Sequence, residues 1–181
     1  MKLEKRFIEW AKKEYSKKQK IIAYIPAGVV FLILIPLTLI IVLPSLDMHL
    51  GLSKFISEPF SLIIAPFFLV PGFLFSAWSV LVQFRIGKGT PIPMIPTKKL
   101  IVQGPYAYCR NPMGLGTSIF YLGFGILTGS ISSIGFTILF TSVLLIYYKF
   151  VEEKELEARF GNEYIEYKKR TPFLIPWRRK R

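Results

Sequence analysis

Three stretches of the chain contain no Asp, Glu, Lys, Arg or His: Ile21–Leu46 (26 residues), Pro59–Phe84 (26) and Asn111–Tyr148 (38). About 20 apolar residues suffice to cross the hydrocarbon core of a bilayer as a helix, so each of the first two runs predicts one crossing. The third run is too long for a single crossing at about 1.5 Å per residue. Near its middle, Thr128-Gly129-Ser130-Ile131-Ser132-Ser133 has the composition of a turn. The run therefore reads as a helical hairpin. The expected fold is an all-α integral membrane protein in one domain, residues 1–181. Its four transmembrane helices fall at 21–46, 59–84, 112–129 and 131–148, and a helical extension follows the last. Pro26, Pro36, Pro66 and Pro71 lie inside the first two spans and are expected to kink them.

Charge adds an orientation. The chain carries 24 Lys+Arg against 11 Asp+Glu, a formal +13, yet its mean hydropathy is +0.44. All but one of the cations, Lys54, fall on one side of the four-span arrangement. The positive-inside rule makes that side cytoplasmic, with both termini on it. The basic charge then orients spans, and no nucleic-acid partner is expected. Residues 1–20 read as an interfacial helix, with Leu3, Phe7, Trp10 and Ala11 on one face and lysines around the rest. The first apolar run exceeds the length of a signal-peptide core and no small-residue cleavage site follows, so no cleavable signal is expected. The final Arg178-Arg179-Lys180-Arg181 is no lipidation box.

The residue inventory narrows the chemistry. Cys109 is the one cysteine, His49 the one histidine and Asp47 the one aspartate. A disulfide framework, a thiolate zinc site, a His-based metal site and a His-centred triad are all unexpected. Six of the ten glutamates crowd between Glu152 and Glu166.

Two segments on the basic side, 85–111 and 149–181, are unlike ordinary loops. The first is rich in Gly and Pro, a length and composition typical of a functional connection. It ends in Leu100-Ile-Val-Gln-Gly-Pro-Tyr-Ala-Tyr-Cys-Arg-Asn-Pro-Met113 and enters the third span at Gly114-Leu115-Gly116-Thr117. Glycines at a helix start let backbone amides approach an anionic ligand, or they permit close helix packing. Both readings stand for Gly114 and Gly116, whereas Gly123 and Gly125 read as packing positions. The second segment extends the last span from Lys149 to Phe160. Gly161 is expected to cap that helix and Asn162 to cap the start of a further one, which Pro172 ends. Lys149 with Glu153, and Glu155 with Arg159, have the i, i+4 spacing of surface ion pairs. Glu152 has no cation at that spacing, only Lys149 three residues before it.

At these two segments the chain resembles the superfamily of isoprenylcysteine carboxyl methyltransferases and phospholipid N-methyltransferases. The resemblance is carried by Gly104-Pro-Tyr-Ala-Tyr-Cys-Arg-Asn-Pro-Met113, Gly116, Glu152-Glu153, Phe160-Gly161-Asn-Glu-Tyr164, Tyr167, Arg170-Thr-Pro172 and Ile175-Pro176, and spans roughly Leu100–Trp177. It implies a polytopic enzyme binding S-adenosylmethionine on the cytoplasmic face and methylating a lipid-like or prenylated acceptor, with no metal. Family pattern places Arg110, Asn111, Pro112, Glu152 and Glu153 in the cofactor pocket, Gly114 and Gly116 in its Gly-x-Gly, and Tyr106 and Met113 beside them. Arg110, Glu152 and Arg170 are the candidate catalytic positions, Arg170 as a holder of a substrate carboxylate or a contact to headgroups. Asn111 with Met113 leans toward the phospholipid branch, while Arg170-Thr171-Pro172 leans toward the carboxyl methyltransferases. Tyr106, Tyr108 and Trp177 read as interfacial aromatics or as rings stacked on an adenine, and Cys109 as an apolar filler.

Two other readings compete. A sister group of NADPH-dependent membrane sterol reductases has a similar C-terminal half, but follows its Arg-His-Pro with Asn-Tyr where this chain has Met113-Gly114. A non-enzymatic anionic-lipid-binding protein needs only the basic termini, and leaves the Gly/Pro loop and the Glu pair without a role.

Overall fold

The computed structural model describes residues 16–87 and 97–176; the expected interfacial helix and Trp177 lie outside these. The described residues form helices joined by turns, with no strand among them. A first helix, α1, covers residues 17–49, and α2 is Glu58–Arg85. A 3-10 turn, Gly104–Ala107, precedes α3, Pro112–Thr128. Then follow α4, Ile131–Phe160, and α5, Asn162–Arg170. Within α1, Ile25–His49 is long and apolar enough to cross a membrane, as are α2 and α4. The fourth expected crossing, α3, has 17 residues and at 1.5 Å per residue reaches about 25 Å. Large side chains such as Phe60, Phe67 and Leu139 stand exposed along these helices, as lipid-facing positions do.

The prolines of α1 act through hydrogen bonding. Two π-turns, Val30–Leu34 and Thr38–Val42, end just before Ile35-Pro36 and Leu43-Pro44. Ile35 N–H bonds back to the Val30 carbonyl and Leu43 N–H to that of Thr38. The next carbonyls, of Phe31 and Leu39, face prolines that have no N–H to offer. Side chains of the hairpin replace the missing donors. The Tyr121 hydroxyl donates to Phe31 O (2.8 Å) and the Ser133 hydroxyl to Leu39 O (2.8 Å). Both donors are fully buried. In a bilayer, where no water satisfies a freed carbonyl, this pairing fixes where α1 docks on α3 and α4.

The hairpin turn is built as its composition predicts. Gly129 ends α3 at φ 67°, a conformation glycine adopts without strain, and Ser130 caps α4 by accepting from Ser133 N–H at 3.0 Å. One residue is placed differently from expectation. Asp47, read as part of a loop, sits in the last turn of α1 at 6 % exposure. Its carboxylate accepts from the Ser130 hydroxyl (2.6 Å) and the Ser132 N–H (3.3 Å). The free amides at the start of α4 thus draw the one aspartate into the helix end.

α2 and α3 approach at backbone distance. A Cβ on Gly72 would lie 2.4 Å from Phe120 N, and one on Gly116 would lie 2.5 Å from Ser76 N. Gly123 similarly abuts Leu69 and Gly125 abuts Ile134. The Ser76 and Thr117 hydroxyls bridge the same contact at 3.1 Å. Gly116 is therefore occupied by helix packing.

Candidate active site

At the end of the bundle opposite the hairpin turn, a cavity of about 760 Å³ opens between α1, α2, α3 and α4. Its inner wall is apolar, with Ala27, Phe31 and Leu32 from α1, Phe73, Val80 and Leu81 from α2, Phe120 from α3 and Leu144 from α4. Its outer part is polar, lined by Gln83, Thr97, Tyr106, Arg110, Asn111, Glu152, Glu155 and Arg159. Pro112, Met113 and Gly114 complete that wall. A Cβ on Gly114 would meet the Tyr148 ring at 2.6 Å, so the glycine lets that ring close one side of the cavity.

Backbone and side-chain bonds hold the Arg110-Asn111 turn from the C-terminal side. Arg110 N–H donates to Pro172 O at 2.9 Å, and Asn111 Nδ2 donates to Phe173 O at 3.0 Å. The Phe173 ring is approached by two cations, its centroid 5.5 Å from the Arg110 guanidinium carbon and 5.3 Å from Lys149 Nζ. Arg110 Nη1 donates to Glu153 Oε1. Glu153 in turn faces Lys149 Nζ at 3.4 Å and Lys168 Nζ at 3.0 Å. Lys168 also bonds to Glu157 at 2.6 Å, the main cause that raises its pKa. Glu153 is thus the hub of an ion-pair cluster behind the cavity wall and orients Arg110 from there. Arg110 Nε, by contrast, is buried without a partner.

A π-turn at Tyr148–Glu152 interrupts α4 where it leaves the apolar run. Such turns widen the face a helix presents, and here Tyr148, Val151, Glu152 and Glu155 all reach the cavity. From Lys149 to Phe160 the helix carries seven charged residues, so this part lies beyond the spanning segment. Arg159 bonds to Glu155 and to the Thr97 carbonyl. The Glu155–Arg159 pair expected on the surface is buried, because Thr97 and the cavity wall cover it.

Among the described residues Glu152 has no ion-pair partner; Lys149 turns to Glu153 instead. Burial, then repulsion from Glu155 and Glu153, pushes the Glu152 carboxyl up to about 7, against the pull of Arg159. The cavity therefore holds one unpaired acid and one cation with a free N–H, a donor set suited to a ligand with both ammonium and carboxylate groups.

Of the other sequence-predicted positions, Tyr106 also lines the cavity and the rest lie outside it. The Arg170 side chain is 80 % exposed beside Glu166, at 3.7 Å. Tyr106 is buried rather than interfacial, because the 3-10 turn folds it under α5, where the Tyr167 hydroxyl donates to its carbonyl at 2.7 Å. Tyr108 is exposed and Cys109 fully buried. Asn162, expected to cap α5, is instead its first residue, because Gly161, at φ 53°, both ends α4 and takes the cap position before α5. Gln83 and the α1 residues lining the cavity were not singled out from sequence. They sit in ordinary apolar spans, and only the polarity of Gln83 near the end of α2 sets it apart.

The profile of the phospholipid methyltransferase family matches residues 60–163, more than half of the chain. The chain belongs to that family. Two curated proteins are similar to it. Methanethiol S-methyltransferase 1 of Bradyrhizobium diazoefficiens is 35 % identical over 98 residues, 52 % of this chain and 30 % of that protein. Protein-S-isoprenylcysteine O-methyltransferase of Schizosaccharomyces pombe is 38 % identical over 80 residues, 42 % of this chain and 33 % of that protein. The aligned part thus spans about a third of each relative. The family match covers α2 to the start of α5, including the Arg110–Gly114 turn and the Glu152-Glu153 pair. This family member is a membrane protein, with three helices long and apolar enough to cross a bilayer.

Proposed function

We propose that this protein is an S-adenosylmethionine-dependent methyltransferase acting on a lipid-like acceptor at the cytoplasmic face of its membrane. The observation that carries the reading is the unpaired carboxylate of Glu152 sharing one cavity with Arg110, whose Nε is free while its Nη1 is held by Glu153. S-adenosylmethionine, when bound, supplies a methyl group on a sulfonium sulfur. Glu152 would hold its ammonium or ribose hydroxyls and Arg110 its carboxylate, with Asn111 to Gly114 and Tyr106 forming the surrounding wall. The apolar inner wall would take the acceptor's chain.

Little further chemistry is required of the chain. A carboxylate or thiolate acceptor needs no base, and an amine needs to lose one proton, for which Glu152 near neutrality is a suitable receiver. Positioning and the exclusion of water then carry the rate. The related names point to S- and O-methylation in those two proteins, and the family to phospholipids, so the acceptor is sought by class. A reductase or a passive lipid-binding protein is the weaker reading, because the family and both relatives are methyltransferases. The test is to incubate the purified protein with methyl-labelled cofactor and a lipid extract, then separate lipids by class. Label should enter one class and be lost in Arg110→Ala; label in no class, across extracts and thiol and prenylcysteine acceptors, would refute the proposal.

A further inference from the structure

The π-turn of α4 begins at Tyr148, four residues after Leu144 and four before Glu152. Leu144 belongs to the apolar inner wall of the cavity and Glu152 to its polar part, so Tyr148 stands where the two parts meet. Its side chain lines the cavity, and the residue is only 8 % exposed. Gly114, at the start of α3, leaves room for it: a Cβ there would lie 2.6 Å from the ring and 3.3 Å from the hydroxyl oxygen. Among the described residues that hydroxyl has no hydrogen-bond partner. Tyr167, buried to the same degree, donates to the Tyr106 carbonyl, and Tyr121 donates to that of Phe31. A hydroxyl is seldom enclosed with neither its proton nor its lone pairs in use, and such a group commonly serves a ligand. Its position suggests which part of a ligand. On the methyltransferase reading, Glu152 holds the ammonium of the donor and Arg110 its carboxylate, and the sulfonium lies three bonds from the carbon that bears both. Four residues of helix advance about 6 Å, so the step from Glu152 to Tyr148 leads from the amino-acid end to the sulfonium, toward the apolar wall.

We propose that Tyr148 is a catalytic residue whose hydroxyl oxygen contacts the methyl-bearing sulfonium of the donor, an inference that rests on the methyltransferase reading. C–H bonds beside a sulfonium are polarised, and an oxygen lone pair accepts them as weak hydrogen bonds. An oxygen already in place costs no rearrangement at the moment of reaction. As the acceptor's lone pair bonds to the methyl carbon, the carbon–sulfur bond breaks and its electron pair stays on sulfur. The hydroxyl therefore meets a cationic centre before transfer and a neutral thioether after it, while its own proton stays in place. Tyr148 thus favours the charged donor over its spent product.

The experiment titrates the full chain in lipid nanodiscs with S-adenosylmethionine, S-adenosylhomocysteine and sinefungin, which carries an ammonium where the donor carries its methylsulfonium. Tyr148→Phe removes the oxygen and keeps the ring. It should weaken S-adenosylmethionine and sinefungin about three- to tenfold, the loss of one modest hydrogen bond, and leave S-adenosylhomocysteine within about twofold of wild type. The melting midpoint without ligand should stay unchanged, because that hydroxyl supports no hydrogen bond among the described residues. Equal weakening of all three ligands, or of none, would overturn the inference; equal weakening with a lowered midpoint is what a merely structural side chain would give. If the wild type binds none of the three, the methyl-donor reading falls and this inference with it. If it binds all three and Tyr148→Phe shows no selective loss, the role of Tyr148 falls alone.

Discussion

Glu152→Gln is the most informative single substitution, because it removes a charge and keeps the shape. The amide still offers an oxygen to a ligand's ammonium but no longer a charged one. A hydrogen bond to a charged group contributes about 1.5–3 kcal/mol and a neutral one about 0.5–1.5, so the difference is about 1–2 kcal/mol. That corresponds to roughly 5- to 30-fold weaker binding of S-adenosylhomocysteine at pH 7.5. The pH dependence carries further information. With the Glu152 carboxyl raised to about 7, it is largely protonated at pH 6 and largely ionised at pH 7.5. A raised carboxyl pKa means that attraction for a cation is absent below that value and gained as pH rises through it. The wild-type affinity should therefore climb about eightfold between pH 6 and 7.5, following the ionised fraction. The variant should show a flat profile over that range. Calorimetric titration of both proteins at several pH values reads this directly. A flat wild-type profile, or a variant that keeps both the affinity and the slope, would refute the assignment of Glu152.

Three further outcomes follow from the geometry. Phe173→Leu removes the ring that Arg110 and Lys149 both approach, and should weaken S-adenosylhomocysteine binding several-fold, whereas Phe173→Tyr should retain it; equal binding by both variants would show that the ring only fills space. Tyr121→Phe strands the Phe31 carbonyl that Pro36 cannot serve, so it should cost about 1–3 kcal/mol and lower the melting midpoint in detergent by several degrees. Arg159→Met leaves Glu155 buried without its partner, and should destabilise by about 3–5 kcal/mol, an effect that Glu155→Gln in the same chain should largely reverse.

The apolar parts of α1 to α4 were legible because charge is excluded from those three runs so completely. The hairpin turn was legible from Gly129 and the serines, whose conformational and capping preferences are local. The two motif segments were also readable as the places where charge and aromatic residues gather next to apolar spans, and the fold brings Arg110 and Glu152 to one cavity. What stayed hidden is tertiary. Asp47 has no local reason to enter a helix; its reason is 83 residues away at Ser130. Gly116 could not be assigned from sequence, because its role depends on Gly72 and Ser76 across the interface. The donors that serve the carbonyls freed by Pro36 and Pro44 were similarly invisible: from sequence Pro36 predicts a kink, not the Tyr121 hydroxyl that answers it. The placement of Glu153 behind the wall and Glu152 in it follows from a π-turn that no residue type announces.

The central claim is that the cavity holds a methyl donor, and the most direct measurement is a paired titration of the purified wild-type protein with S-adenosylhomocysteine and with NADPH. Saturable binding of S-adenosylhomocysteine, with NADPH giving no signal above the blank, is the predicted result. Binding of NADPH without S-adenosylhomocysteine, or of neither, would contradict it.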